Sequence, residues 1–407
     1  MTDQPDEVSH VADYPIGASI TEDELFRDPY RQYAKLHADE PVSWIADLNM
    51  WYVVKYNHVT EILMDPDRFT TAFDRSTVRD TFGDQMLSVE GSLHHKYRKT
   101  MRGSFRPKAV RDNAVAGIRA NANELINAFS GQSEVELRTH FASILPVLTM
   151  LSTFGLPRSD FDKLRVWYNS FEASLANFKW DEAIRRRGHE AVAAFHTHMQ
   201  SAIERATAGE VPDSLLASLV SQMPDTRLSD EEIRLNALIV FFGGISTVEA
   251  LILNSVWMIG THPQVHGRLG EDPSLLPRII DEVARWRSPV QSAIRHVTRD
   301  FEFHGHMFRE GEVVCCMLGA ANRDPAIFPD ADKVNIDRPR EQKHLAFAQG
   351  PHMCLGMHLA LTEARIAVEC LYERLPGLTI KMDKSPEPVG YEFHQPEALY
   401  IEWKPSV

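Results

Sequence analysis

Cysteine is scarce in this chain: there are four in 407 residues, Cys315, Cys316, Cys354 and Cys370. Two are adjacent and one falls in a stretch with helical periodicity. That pattern excludes a disulfide framework and points to a reducing, cytoplasmic compartment. The N-terminal MTDQPDEVSHVADYP is acidic and has no apolar core, so it does not read as a secretory signal. Positive charge is in short supply. Lys and Arg number 43 against 57 Asp and Glu, for a formal net charge of −14. Bulk electrostatics therefore disfavours nucleic acid and anionic membrane as partners. The sequence has no internal repeat and no low-complexity linker. Long apolar runs are missing with one exception, Leu235 to Gly260. Glu249 sits near its middle, Asn236 and Asn254 accompany it, and no basic cluster marks an end. It reads as a buried helix and not as a membrane anchor.

What is present is ordinary globular composition, 43% hydrophobic and 25% charged. The run PVSWIADLNMWYVVKY predicts a hairpin turning at Asp47-Leu48-Asn49. From about residue 90 to 287 the pattern is mainly helical. Ser229 followed by Asp230, Glu231 and Glu232 is a helix start. The apolar pattern then predicts one helix from about Asp230 to Ile259, about 45 Å long, stopped by Pro263. Another helix covers Leu275 to Arg287. Short β-like runs follow at HVTRDFEFHG and EVVCCMLGA, then the irregular ANRDPAIFPDADKVNIDRPR, then a helix ending near Leu375. The tail PEALYIEW is strand-like. Helices dominate and small sheets are attached, a mainly α, α+β class. The absence of βαβ alternation argues against a nucleotide-binding parallel sheet.

One cysteine stands between glycines in FAQGPHMCLG, residues 347 to 356. Taken alone, Cys354 is open to three readings: a small buried hydrophobe, a nucleophile, or a metal ligand. It lies just ahead of a helix N-terminus, where orphan N–H groups favour a thiolate. His352, two residues away, is weak evidence of a catalytic dyad, and partners at zinc spacing are lacking.

The spacing Phe347-x-x-Gly350-x-His352-x-Cys354-x-Gly356 resembles the haem-binding signature of the cytochrome P450 family. Three more stretches resemble that family's motifs, in its order. They are Gly243 to Thr247 (GGIST), Glu282-Val-Ala-Arg285, and ANRDPAIFPDADKVNIDR ending in Arg338. The resemblance covers about residues 20 to 405 and fits the bacterial members without a membrane anchor. It implies a single domain over 1–407, with residues 1 to about 20 an irregular segment. Haem b would lie between a long central helix and the cysteine loop, with Cys354 as axial ligand of the iron. Phe347 would pack on the proximal side, and Gly350 and Gly356 would let the loop pass close to the sulfur. His94, Arg98, Arg295 and His352 would receive the haem propionates. Glu282, Arg285 and Arg338 would form a buried structural cluster.

On the distal side Gly243 and Gly244 would open a groove for O2, and Thr247 would help deliver protons. The family usually places Asp or Glu just before that threonine; here Ser246 stands there, which can relay but cannot supply a carboxylate. Glu249, about 200° further round the helix, is no direct substitute. Counting from the motifs puts Phe73, Phe82, Met86, Leu87, Ile239, Phe242, Gly243, Gln291, Ala293 and Phe393 around the substrate. That lining implies a neutral, hydrophobic molecule of small to moderate size, aromatic or terpenoid in kind. Electrons would come from a ferredoxin or flavodoxin and its NAD(P)H-dependent reductase. Lys96, Lys99, Arg102, Arg106, Lys108 and Arg111 would offer an acidic carrier a basic strip. The resemblance implies a monomeric O2-dependent monooxygenase that hydroxylates or oxidatively dealkylates. A peroxide-driven peroxygenase and a non-catalytic haem-binding or sensor protein are the alternatives.

Overall fold

The computed structural model describes residues 7–223, 227–339 and 341–404. The described chain divides into two compact units. The first takes in the N-terminal stretch to Thr71, Leu253–Cys354 and Met382–Ala398; the second takes in Ala72–Ile252, Leu355–Lys381 and the stretch from Leu399.

In the first unit the expected hairpin forms. Strands Val42–Ile45 and Met50–Val53 pair antiparallel, with Val42 opposite Val53 and Ile45 opposite Met50. Asn49 turns the chain with φ 53°, a conformation asparagine tolerates better than most residues. Three strands complete a five-stranded mixed sheet: Val313–Met317, Ser292–Val297 and Phe69–Thr70, in that order after Met50–Val53. Only Met50–Val53 and Val313–Met317 run parallel, so this is not the parallel sheet of nucleotide-binding folds. Successive side chains point to opposite faces. Cys315 therefore packs with Met50, Tyr52 and Tyr33, while Cys316 packs with Trp51, Val53 and Phe308. Adjacent in sequence, the two thiols are core residues of opposite faces, and burial pushes both pKa values up, Cys316 to about 12. The stretch after the sheet is irregular, as expected, apart from the short helix Leu318–Ala321. The N-terminal segment departs from expectation. Glu7–Asp13 and Pro15–Ala18 are helical, the second opened by a proline at its first position.

The second unit is built from helices. Phe161–Leu175 packs along Glu182–Thr207, and Val115–Phe129 packs along Met357–Arg374. A small sheet of Glu134–Glu136, Tyr400–Glu402 and Thr379–Ile380 joins them. Aromatic rings form its core: Phe82 meets Phe171 and Phe242, and Phe241 meets Phe154 and Phe195, at centroid distances of 5.5–6.5 Å. The expected capping box at Ser229 and Glu232 is present.

The single long helix expected from Asp230 is in fact two, Asp230–Gly243 and Ser246–Thr261, with Gly244 and Ile245 outside helical conformation. Two adjacent glycines weaken the helix, and side chains then occupy its ladder. Thr247 Oγ1 donates to the carbonyl of Gly243 at 2.8 Å, and the Ser246 N–H donates to the hydroxyl of Tyr168 at 3.2 Å. Each replaces a backbone bond with a side-chain one, the recognised cause of a sharp break. Taken as one stretch, Asp230–Thr261 is apolar and long enough to cross a membrane, but 67% of its most apolar window is buried, as the sequence led us to expect.

Candidate active site

In the first unit a turn-rich loop carries Cys354. Its N–H donates to the carbonyl of Phe347 at 2.9 Å, Met353 N–H to Gly350 at 3.1 Å, and Ala348 N–H to Leu345 at 2.8 Å. Gly350 has φ 77°, and a Cβ there would come within 2.3 Å of the Leu63 carbonyl oxygen. Only glycine fits this position. Ala348, standing where the family often has glycine, takes φ 54°. Cys354 is exposed, whereas Cys315, Cys316 and Cys370 are buried. The folding therefore ends the ambiguity left by the sequence: Cys354 is no core hydrophobe, but a sulfur presented by a loop whose backbone is tied down. Gly356 caps the following helix, Met357–Arg374. His352 Nε2 lies 3.4 Å from Thr71 Oγ1. Arg295 is buried on strand Ser292–Val297, its Nη1 donating to the Ile294 carbonyl.

Behind the loop, Glu282, Arg285 and Arg338 come together as expected. Arg285 forks onto both carboxylate oxygens of Glu282 at 2.8 and 2.7 Å, and Arg338 Nε reaches Oε1 at 3.2 Å. The sequence reading missed what else they hold. Arg285 donates to the carbonyls of Asn322, Ala331 and Lys333, and Arg338 to those of Pro329, Asp330 and Lys333. Asn335 N–H also donates to Glu282. The side chain of Asn322 bonds Ser288 Oγ and accepts from Leu345 N–H. A continuous set of bonds thus runs from the cluster through Asn322 and Leu345 to the loop that ends in Cys354. Both charges are buried and satisfied, which is the condition for a buried pair to be tolerated.

The second unit carries the other expected residues. His94 and Arg98 lie one turn apart on helix Gly91–Met101, with His94 buried. Thr247 and Ser246 open the helix after the break. Ser246 is not alone: its Oγ lies 2.7 Å from the Tyr168 hydroxyl and donates to Glu172 Oε1. Tyr168 and Glu172 sit four apart on one helix face, but nothing in sequence connects them to a serine more than seventy positions on. Glu249 is buried and paired with Arg138 at 2.6 Å, in keeping with its expected separation from Thr247.

Of the expected lining in this unit, Phe82, Met86 and Ile239 are buried, Phe73 and Phe242 are half-buried, and Leu87 and Gly243 are exposed. Phe242 stacks on Tyr168 with centroids 5.4 Å apart. In the first unit Ala293 and Phe393 are half-buried, and Val290 bridges to Phe393. Gln291 corrects the expectation. It has no exposed surface; its amide nitrogen donates to Tyr30 and Ser288, and the amide packs so tightly on Gly319 that a Cβ there would meet it at 2.1 Å. Gln291 is a packing residue, not part of a lining. The basic strip is exposed throughout, but Lys96 is paired with Glu232, and Lys108 and Arg111 with Asp112.

Residues 19–389 match the cytochrome P450 family. The chain belongs to that family. A cytochrome P450 named 107B1, from Saccharopolyspora erythraea, is 31% identical over 391 residues, covering 91% of this chain and 93% of that protein. The P450 fold is shared with the solved complex of P450BioI with an acyl carrier protein carrying hexadec-9Z-enoic acid (TM-score 0.85, 27% identity, 94% of this chain and 99% of that one). It is likewise shared with CYP109E1 from Bacillus megaterium in complex with testosterone (TM-score 0.85, 26% identity, 95% and 100%). As a cytochrome P450 this protein is a haem-thiolate monooxygenase, an oxidoreductase of the class that binds haem b through a cysteine and takes electrons from redox partners. The residues present fit that cofactor: the first unit offers one exposed sulfur on a pinned loop, a buried Arg295 and a half-buried His352, and the second a buried His94 and a half-buried Arg98.

Proposed function

We propose that this cytochrome P450 inserts one atom of O2 into a neutral, hydrophobic molecule of small to moderate size, by hydroxylation or oxidative dealkylation. The observation that carries the reading is the Cys354 loop. An exposed sulfur is held by the Phe347 carbonyl bond and backed by the Glu282–Arg285–Arg338 cluster. Haem, when bound, supplies the oxygen-activating chemistry, which a thiolate ligand favours. The chain's residues do the rest. Cys354 would hold the iron, and Arg295 and His352 in the first unit and His94 and Arg98 in the second would serve the propionates. In the second unit Phe82 and Phe242, with Phe73 and Ile239, would give the substrate apolar surface without a charged anchor. The acyl chain and the steroid bound by the two solved relatives are hydrophobic, which supports this substrate class. Thr247 holds a hydroxyl at the helix break, with Ser246 and a carboxylate behind it. Such an arrangement supports O2-driven over peroxide-driven turnover.

We assign the electron donor as an acidic ferredoxin-type protein docking on Lys99, Arg102 and Arg106, the cations of the strip without an acidic partner among the described ion pairs. The test of the whole reading is the carbon monoxide adduct of the reduced protein. It should show a thiolate-type Soret band that Cys354→Ser removes; a band unchanged in that variant would refute the assignment.

A further inference from the structure

Monooxygenation consumes two protons and two electrons per O2, placing one oxygen atom in product and the other in water. The electrons come from the redox partner; the protons must cross the protein. Ser246, directly before Thr247, has no titratable proton of its own near neutrality. It does have a carboxylate within hydrogen-bonding reach. Three groups close a triangle: Ser246 Oγ donates to Glu172 Oε1, and the Tyr168 hydroxyl lies 2.7 Å from Ser246 Oγ and 3.2 Å from Glu172 Oε1. Tyr168 is buried, and burial first, then the charge of Glu172, pushes its phenol well above the ordinary value. It stays neutral and orients the other two. Glu172 is half-buried and keeps contact with solvent, while Ser246 is buried. Arg138 and Glu249 are also within electrostatic reach of this triangle. Burial lowers the Arg138 pKa, but the carboxylates of Glu249, Glu136 and Glu172 outweigh it and hold the guanidinium charged.

We infer that Glu172 is the carboxyl group that supplies protons to the Thr247 side of this protein, acting through Ser246. Glu172 takes a proton from water and passes it to Ser246 Oγ as the serine hydroxyl releases its own proton onward. The carboxylate then recharges from solvent, so each passage moves one proton and leaves both residues unchanged. Glu172 is a positioning residue in this scheme, since it acts through Ser246 and not on the reacting atoms. The inference rests on the monooxygenase reading above.

The same triangle could serve only to hold the helix break, because the Ser246 N–H is bonded to Tyr168. The variants separate these roles. Holoenzyme is driven with NADPH, a plant-type ferredoxin and its reductase, with testosterone as the probe. Peroxide per NADPH and the solvent deuterium isotope effect are measured for Glu172→Gln, Glu172→Asp, Ser246→Ala and Tyr168→Phe. Glu172→Gln and Ser246→Ala should raise peroxide per NADPH and slow proton-dependent turnover on the order of tenfold. That is less than the ~10²–10⁴ of a directly acting acid. Glu172→Asp should restore most of the loss, and haem content should not change. Tyr168→Phe, which removes the clamp on the break but leaves the carboxylate, should do less than Glu172→Gln. Normal coupling in Glu172→Gln, or equal damage from Tyr168→Phe, overturns the relay.

A second readout needs neither electrons nor probe. In pH-difference infrared spectra a carboxyl band should vanish in Glu172→Gln and shift in Ser246→Ala. An unshifted band overturns the relay and leaves the monooxygenase reading standing. A wild-type protein without the thiolate-type carbon monoxide band overturns both.

Discussion

Glu363 shows how far a single side chain can set a property of this protein. It is 1% exposed and accepts a hydrogen bond from Thr149 Oγ1 at 2.7 Å. No cation is among its described ion pairs, and burial pushes its carboxyl up to about 8 from an ordinary 4.5. A carboxyl that binds its proton more tightly in the folded chain makes folding most favourable at low pH. The stability it contributes is complete below about 4.5, falls as pH rises, and is gone above about 8. The swing should be on the order of a few kcal/mol. Glu363→Gln should flatten the dependence of the melting temperature over that window and raise it above wild type at the alkaline end. An unaltered slope would show that Glu363 ionises normally. Ser246 and Gln291 teach a related lesson. Both sit at motif-counted positions, yet one gains a carboxylate from a distant helix and the other is locked into packing.

At the scale of elements, the break between Asp230–Gly243 and Ser246–Thr261 separates two glycines that look equivalent in sequence. A Cβ on Gly244 would meet Met150 Sδ at 2.5 Å, while one on Gly243 would meet nothing within 4 Å. Gly244→Ala must displace a buried methionine and should lose about 1–3 kcal/mol. Gly243→Ala gains helix propensity, up to about 1 kcal/mol. Because Gly243 is exposed at the proposed oxygen groove, it should lower turnover while raising the melting temperature. Thermal melts beside NADPH-driven product formation check the pair; parallel losses in both variants would contradict the assignment. The elements themselves were largely legible. The hairpin, the capped start at Ser229 and the helix before Pro376 follow from local propensity and end signals. The break was not, because it depends on the Tyr168 hydroxyl reaching the Ser246 N–H. The N-terminal helices were missed too, their short length giving little periodicity to read.

At the scale of the whole molecule, the Glu282–Arg285–Arg338 cluster gathers three separate stretches of the first unit, 282–288, 322–338 and the loop from Leu345. Removing one partner of such a buried pair costs about 3–5 kcal/mol, since the other charge is left uncompensated. Arg285→Leu strips Glu282 of its bidentate partner and frees three backbone carbonyls together. It should yield protein without haem; normal holoprotein from that variant would contradict the role assigned to the cluster.

The sequence by itself determined the family and the helix-dominated class, and it singled out Cys354, Thr247, Glu282 and Arg285 as candidates, because those depend on local spacing and residue chemistry. Only the tertiary structure decided that Asn322 ties the cluster to the cysteine loop, that Gln291 is core, and that Glu172 stands behind Ser246. Each of these joins residues tens of positions apart, and a hydrogen bond has no sequence signature until folding has brought its donor and acceptor within 3 Å or so.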